Sequence, residues 1–215
     1  MIWEKQWELF APNFKNGKAH IDLTPYGCRE VLQLYPGPGF GDLSHPTTRI
    51  VLSLMNSKVK DHAVIDIGCG SGILSLAAAA MGACQVEGYD IDPEAAQHAK
   101  KNATLSSYRK KIHFSTKPPK KIIADTILLM NMISSEQAQA WSVIADLVPS
   151  SAILITSGIL EENGEEYLEW RTRQGWKVQK KLTENGWCGF ILKQKSRDSS
   201  ENDEPLRSCT KTPIG

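Results

Sequence analysis

The chain has 215 residues, 41% hydrophobic and 23% charged, with a net charge of +1. Such a balance belongs to a globular protein able to bury a sizeable core, and it supplies no whole-molecule field to hold nucleic acid or an anionic membrane. No apolar run approaches the ~20 residues of a membrane span, the N-terminus lacks a signal-peptide pattern, and the five cysteines include no Cys-x-x-Cys pair; these features argue for a reducing, cytoplasmic setting without a disulfide or zinc scaffold.

Trp3, Trp7 and Phe10 recur at the spacing of one helical stripe, which predicts a short helix ending before Pro12. Asn16-Gly17 is a turn signal, and the stretches 19–23 and 31–34 read as short extended runs. The segment from Tyr35 to Thr48 is too rich in Gly and Pro for regular structure. Thr48 is the expected cap of a helix over 49–57. From Ala63 onward strand and helix alternate, with strands expected at 63–68, 86–92, 112–115, 126–132 and 152–157. Helices are expected at 72–81, 93–105, 134–147 and 162–174, Pro93 standing at a helical first position where its missing N–H costs nothing. Glu184-Asn185-Gly186 joins two further runs, and Asn-Gly is the strongest short hairpin signal. The pattern as a whole predicts an α/β fold: a mostly parallel seven-stranded sheet, helices on both faces, and a closing antiparallel hairpin. Beyond Lys195 the text turns polar and loses periodicity, so 196–215 reads as a flexible tail.

The chemistry is concentrated between Val64 and Asp92. A buried run ends in Asp66 and breaks into Gly68, Gly70 and Gly72, followed by an apolar helix and a second strand that ends in Asp90. Glycines after a buried strand let a ligand approach the backbone closely, and an acid 22 residues after Gly68 is suited to accept both hydroxyls of an adenosine ribose. Two cofactors fit that much. Dinucleotide sites favour G-x-G-x-x-G with the pyrophosphate on the helix N-terminus. Here the spacing is Asp66-x-Gly68-x-Gly70-x-Gly72, which resembles the first motif of S-adenosylmethionine (SAM) methyltransferases.

Three further stretches narrow the resemblance. Gly37-Pro38-Gly39-Phe40-Gly41-Asp42-Leu43-Ser44-His45-Pro46-Thr47-Thr48 is similar to the G-x-x-F-G-x-G-x-H-x-T-T loop of the bacterial PrmA family, whose members methylate protein L11 of the large ribosomal subunit. Asp90-Ile91-Asp92-Pro93-Glu94-Ala95 with Asn102-Ala103 resembles that family's cofactor motifs, and Ser157-Gly158-Ile159-Leu160 its late Ser-Gly-Ile-Leu segment. The resemblance implies a Rossmann-like class I methyltransferase with SAM as cofactor and no metal. It implies cofactor contacts at Thr48, Gly68, Gly70, Asp90 and Asn131, with Asn131 also orienting the methyl acceptor as the catalytic residue. The implied partner is a protein substrate, a ribosomal protein first, with no direct nucleic-acid or membrane contact. The implied organisation is a linker-like segment and loop over 1–45, a SAM-binding domain over 46–195, and the tail. That family carries a small N-terminal substrate-gripping domain, which this chain is expected to lack because it starts at the linker-like segment. Two departures touch the pocket: the family's Thr-Gly-Thr is Asp42-Leu43-Ser44 here, and its Asn-Ile-Leu is Asn131-Met132-Ile133. His45 reads first as a loop-ordering residue and second as a proton acceptor. Six basic residues and no acid between Arg109 and Lys121 read as a solvated loop, and secondarily as a docking edge for an acidic partner.

Overall fold

The computed structural model describes residues 2–11 and 13–194; the expected tail at 196–215 lies outside the described residues. Its strands are β1 (Ala19–Asp22), β2 (Val31–Leu34), β3 (Ala63–Ile67), β4 (Gln85–Tyr89), β5 (Ile112–Ser115), β6 (Ile127–Asn131), β7 (Ile153–Leu160), β8 (Trp176–Glu184) and β9 (Trp187–Gln194). Its helices are α1 (Ile2–Phe10), α2 (Pro46–Met55), α3 (Ile73–Ala80), α4 (Pro93–Ala103), α5 (Ser134–Ile144) and α6 (Gly164–Arg173). Seven strands form one sheet in the order β5-β4-β3-β6-β7-β9-β8, while β1 and β2 pair separately as an antiparallel hairpin.

The first five strands of the sheet run parallel because helical crossovers or a long loop return the chain each time; β9 and β8 then close it antiparallel. Strands covered on both faces need no polar alternation, and β6 is accordingly buried from Ile127 through Met130. α3 is apolar all round and buried along nearly its whole length. One core face gathers Val64, Leu76, Val86 and Leu129 with Trp7, Ile21 and Leu34 from the N-terminal segment. The other gathers Ile65, Leu128, Leu154, Trp141 and Trp176. The turn at Asn185 (φ 50°) and Gly186 (φ 78°) has the left-handed pair that a two-residue hairpin requires. The terminal strand β8 exposes Lys177, Lys180 and Lys181, charges that discourage pairing with another chain's edge.

Two expectations are corrected. α2 begins at Pro46, so its N-cap is His45, whose Nδ1 accepts from the Thr47 N–H; Thr48 sits inside the first turn. Proline at the first helical position settles the boundary, and imidazole does the work usually given to a hydroxyl. β7 also runs on to Leu160 instead of ending at Ser157, because a bulge at Gly158 (φ 92°) lets the ladder with β9 resume at Ile159.

Candidate functional site

At the carboxyl ends of β3, β4 and β6 lies a crevice of about 740 Å³, where open α/β sheets bind their ligands. Its floor is the glycine loop. Gly68, Gly70 and Gly72 all take positive φ (73°, 55° and 81°), which a side chain would resist. Space is as tight as conformation: a Cβ on Gly70 would stand 2.6 Å from the Phe40 carbonyl oxygen, and one on Gly39 would stand 2.4 Å from the Gly70 carbonyl carbon. The glycines therefore serve the meeting of two loops as well as ligand approach.

Every amide of the glycine loop already has a partner. Gly68 and Cys69 N–H donate to Tyr89 O (2.7 and 3.0 Å), Ser71 N–H to Phe40 O (2.9 Å) and Gly72 N–H to Cys69 O (2.8 Å). Gly70 N–H donates to Asp90 Oδ2 at 2.8 Å. Asp90 Oδ1 accepts from Asp92 N–H at 3.0 Å, so each carboxylate oxygen keeps one lone pair for a ligand hydroxyl. Ser71 is fully buried beneath the rim loop, its hydroxyl donating to Gly41 O. No amide is left there to cradle a phosphate, and the crevice wall carries Asp90, Asp92 and Glu136 but no Lys or Arg.

The rim loop, residues 35–45, is tied down by α4. His98 Nδ1 accepts from Gly39 N–H (3.1 Å) while its Nε2 bonds Tyr35 O (2.7 Å), an arrangement that needs the neutral ring with hydrogen on Nε2. Burial agrees, holding the His98 pKa below its usual value. Asn102 accepts from Tyr35 N–H and donates to Ser71 O, both at 2.8 Å. At the other end His45 packs its ring between Phe40 and Trp187 (centroids 5.5 and 4.9 Å). Arg49 donates to the carbonyls of Leu43 (2.9 Å) and Ser44 (2.7 Å), and its Nε pairs with Glu184 at 2.7 Å. The clamped turn holds Leu43 at φ 75°, a left-handed backbone on a leucine.

Asn131 ends β6 on the crevice wall. Its Nδ2 contacts Thr48 Oγ1 at 3.4 Å, and its Oδ1 is buried with no partner. Thr48 is itself fully buried and stands behind Asn131, while Thr47 and His45 form the lining. Beneath the floor, Asp66 accepts from Ser75 Oγ (2.7 Å) and leaves Oδ1 unpartnered. Burial raises its pKa to about 7, the Ser75 hydroxyl opposing and the charge of Asp90 adding to the rise. Cys69, in the loop itself, has its thiol pKa driven far up, mainly by burial.

Gly68, Gly70, Asp90 and Asn131 thus converge on one crevice, and Thr48 supports it from behind. Sequence reasoning passed over His98, Ser71 and Gln137; of these only His98, between two positions of the quoted α4 motif, carried a signal that could have been read.

A seven-stranded sheet of this order with a glycine loop and a second-strand acid defines the Rossmann-like class I methyltransferase fold. A family model described as "Ribosomal protein L11 methyltransferase (PrmA)" matches residues 18–195, and the chain belongs to that family. It is 33% identical over 203 residues to the ribosomal protein L11 methyltransferase of Haemophilus influenzae, covering 90% of this chain and 68% of that one. Over 180 residues it is 32% identical to the Anoxybacillus flavithermus protein of the same name, covering 76% of this chain and 54% of that one. The chain thus spans little more than half the length of some curated relatives that it matches. The solved ribosomal protein L11 methylase of Lactobacillus delbrueckii subsp. bulgaricus shares the fold with TM-score 0.67 at 24% identity, covering 89% of this chain and 93% of that one.

Proposed function

We propose that the chain is a SAM-dependent methyltransferase acting on protein amines, with a ribosomal protein L11-like substrate first among the acceptors and the cytoplasm as its setting. The observation that carries this reading is the crevice itself, which has three carboxylates, no Lys or Arg and a glycine loop whose amides are already bonded. Such a site repels the phosphates of a dinucleotide and suits a cationic sulfonium and a cationic amine. Among the described residues no helix is long and apolar enough to cross a membrane.

The residues fit the cofactor. Asp90 has one lone pair free on each oxygen for the ribose hydroxyls. Ile91 and Ile133, 81% and 51% exposed on the crevice wall, offer apolar faces to a flat base. When bound, SAM supplies a methyl group already activated on sulfur. The chain's part is alignment, which can contribute roughly 7–11 kcal/mol. Asn131 lines the crevice with its Oδ1 enclosed and unpartnered, and a turn of its loosely held carboxamide would let that oxygen accept a hydrogen bond from an amine and orient the amine's lone pair toward the donor. The carboxylates draw an ammonium in, and its proton must leave before transfer, a free lysine titrating near ~10.4. Burial and then Arg49 lower the His45 pKa, and its Nδ1 already accepts from Thr47 N–H, so the ring orders the rim loop and the ammonium proton leaves to water.

Calorimetry tests the binding half: wild type binds SAM, and Asp90→Ala weakens it by roughly ten- to a hundredfold, the loss expected for a charged acceptor. Absence of heat with wild type ends the reading. Labelled SAM with a lysate and ribosomes tests the transfer half. A labelled band supports the enzyme, and tight binding without transfer to any acceptor identifies a non-catalytic SAM-binding module instead.

A further inference from the structure

Behind the crevice wall, on the α5 and α6 side of the sheet, lies a buried polar cluster that the proposed chemistry leaves unexplained. Gln137, one turn into α5, is fully buried. Its Nε2 donates to Met132 O at 2.8 Å and to Ser157 O at 3.0 Å. One carbonyl lies just past the end of β6 and the other in β7, at the place where their ladder stops: Asn131↔Ser157 is the last parallel pair, and the Gly158 bulge follows. Two facing carbonyls cannot bond each other, so the carboxamide supplies the missing donors.

The other end of the same side chain is held as firmly. Gln137 Oε1 accepts from Tyr167 Oη (2.6 Å), Thr156 Oγ1 (3.0 Å) and Arg171 Nη2 (2.9 Å). Arg171 is fully buried, and the ion pairs among the described residues give it no carboxylate. Its Nε donates to Tyr167 Oη at 2.8 Å and its Nη1 to Gln174 Oε1 at 3.2 Å, with the Trp170 ring at 4.2 Å and the Trp141 ring at 4.8 Å. A buried cation with only neutral partners costs stability. What it does in return is fix one orientation of one carboxamide, since a flipped Gln137 would set its NH₂ against the guanidinium and its oxygen against two carbonyls.

We infer that Gln137 is a positioning residue for the site: through Met132 O and Ser157 O it sets where Asn131 and Gly158 stand on the crevice wall, and Arg171 with Tyr167 and Thr156 keeps it facing that way. The contacts leave little slack. A Cβ on Gly158 would lie 2.2 Å from Met132 O, and one on Gly68 would lie 2.3 Å from Met132 Cε, so Met132 is wedged between both walls. Asn131 has only a 3.4 Å contact to Thr48 on its side chain, so its aim follows the backbone that Gln137 grips.

The inference rests on the methyltransferase reading for its activity readout, and a spectroscopic readout frees it from that dependence. Gln137→Glu keeps acceptor oxygens for Tyr167, Thr156 and Arg171 and gains an ion pair, yet loses both donors to the Met132 and Ser157 carbonyls. A purely structural role therefore leaves this variant folded and active. The positioning role leaves it folded with KM for SAM near wild type and kcat lower by roughly 10- to 100-fold, the scale of a small misplacement. Methyl-labelled methionine NMR reads the same event without turnover: the Met132 resonance shifts or broadens in Gln137→Glu, and less so in Tyr167→Phe, a milder change that removes one of the three donors. Unmoved Met132 resonances in both folded variants overturn the inference, as does unchanged kcat where wild type is active. Wild type that neither binds SAM nor methylates overturns the functional reading alone, and the NMR comparison still decides this one.

Discussion

Leu43 carries a conformation that most leucines avoid. The left-handed backbone costs a non-glycine residue roughly 1–2 kcal/mol, and the partial burial of its side chain against the core returns about 1–2 kcal/mol. Glycine stands at this place in the family pattern that the loop resembles, so the backbone keeps a shape its residue does not favour. Two donors from Arg49 hold it there. The usual order of substitutions should then invert: Leu43→Gly stays within about 1 kcal/mol of wild type, while Leu43→Ala, which loses packing and keeps the strain, is the less stable of the two. Urea melts ranking alanine above glycine would remove strain from the account. A second residue-scale consequence concerns Asp66. Its folded pKa of about 7 lies above the unfolded value of about 3.9, so the fold binds the proton more tightly. Its contribution is present below pH ~4 and is lost as pH climbs toward 7. His98 and His45 act in the opposite sense, since their lowered pKa values cost stability as pH falls through the usual histidine range. Asp66→Asn should therefore gain on wild type between pH 5 and pH 8, the histidines cancelling in the difference. Equal stability differences at both pH values would mean that Asp66 ionises freely.

At the scale of elements, the strands, the hairpin and the glycine loop were legible because each has a local cause: an apolar run, an Asn-Gly pair, a run of residues that must take positive φ. The start of α2 was misread although Pro46 marked it, because Thr48 resembles a cap and histidine seldom is one. The continuation of β7 was hidden by Gly158, which reads as a turn and acts as a bulge; only the partner strand β9 tells the two apart. The cluster around Gln137 was illegible for a different reason. Gln, Arg and Tyr on the helices α5 and α6 read as solvent-facing, and nothing local says that Trp141 and Trp170 will enclose them. For Thr48 the residue type was noticed and the direction was not: its hydroxyl supports Asn131 from behind.

Across the whole molecule, a net charge of +1 hides a separation. Carboxylates line the crevice, and six cations between Arg109 and Lys121 surround the edge strand β5. Under the proposed function, a lysine-bearing acceptor would be drawn to the one and turned away by the other, so its path should run past α5, away from β5 and from the lysines of β8. Steering of this kind is screened within about 10 Å at 0.1 M salt. KM for a cationic acceptor peptide should accordingly rise several-fold between low and high salt, while a neutral peptide of equal length barely responds; a flat salt profile for both would assign recognition to contact alone.

The saturated amides of the glycine loop bear on what the protein ignores. ATP and ADP are abundant adenosine compounds with the same ribose that Asp90 is proposed to hold, and a cell offers them everywhere. Here their phosphates would meet carboxylates and backbone groups with no hydrogen left to give. On the proposed reading, discrimination would be built into the floor of the crevice before any acceptor arrives, and the energy currency of the cell would pass by without competing.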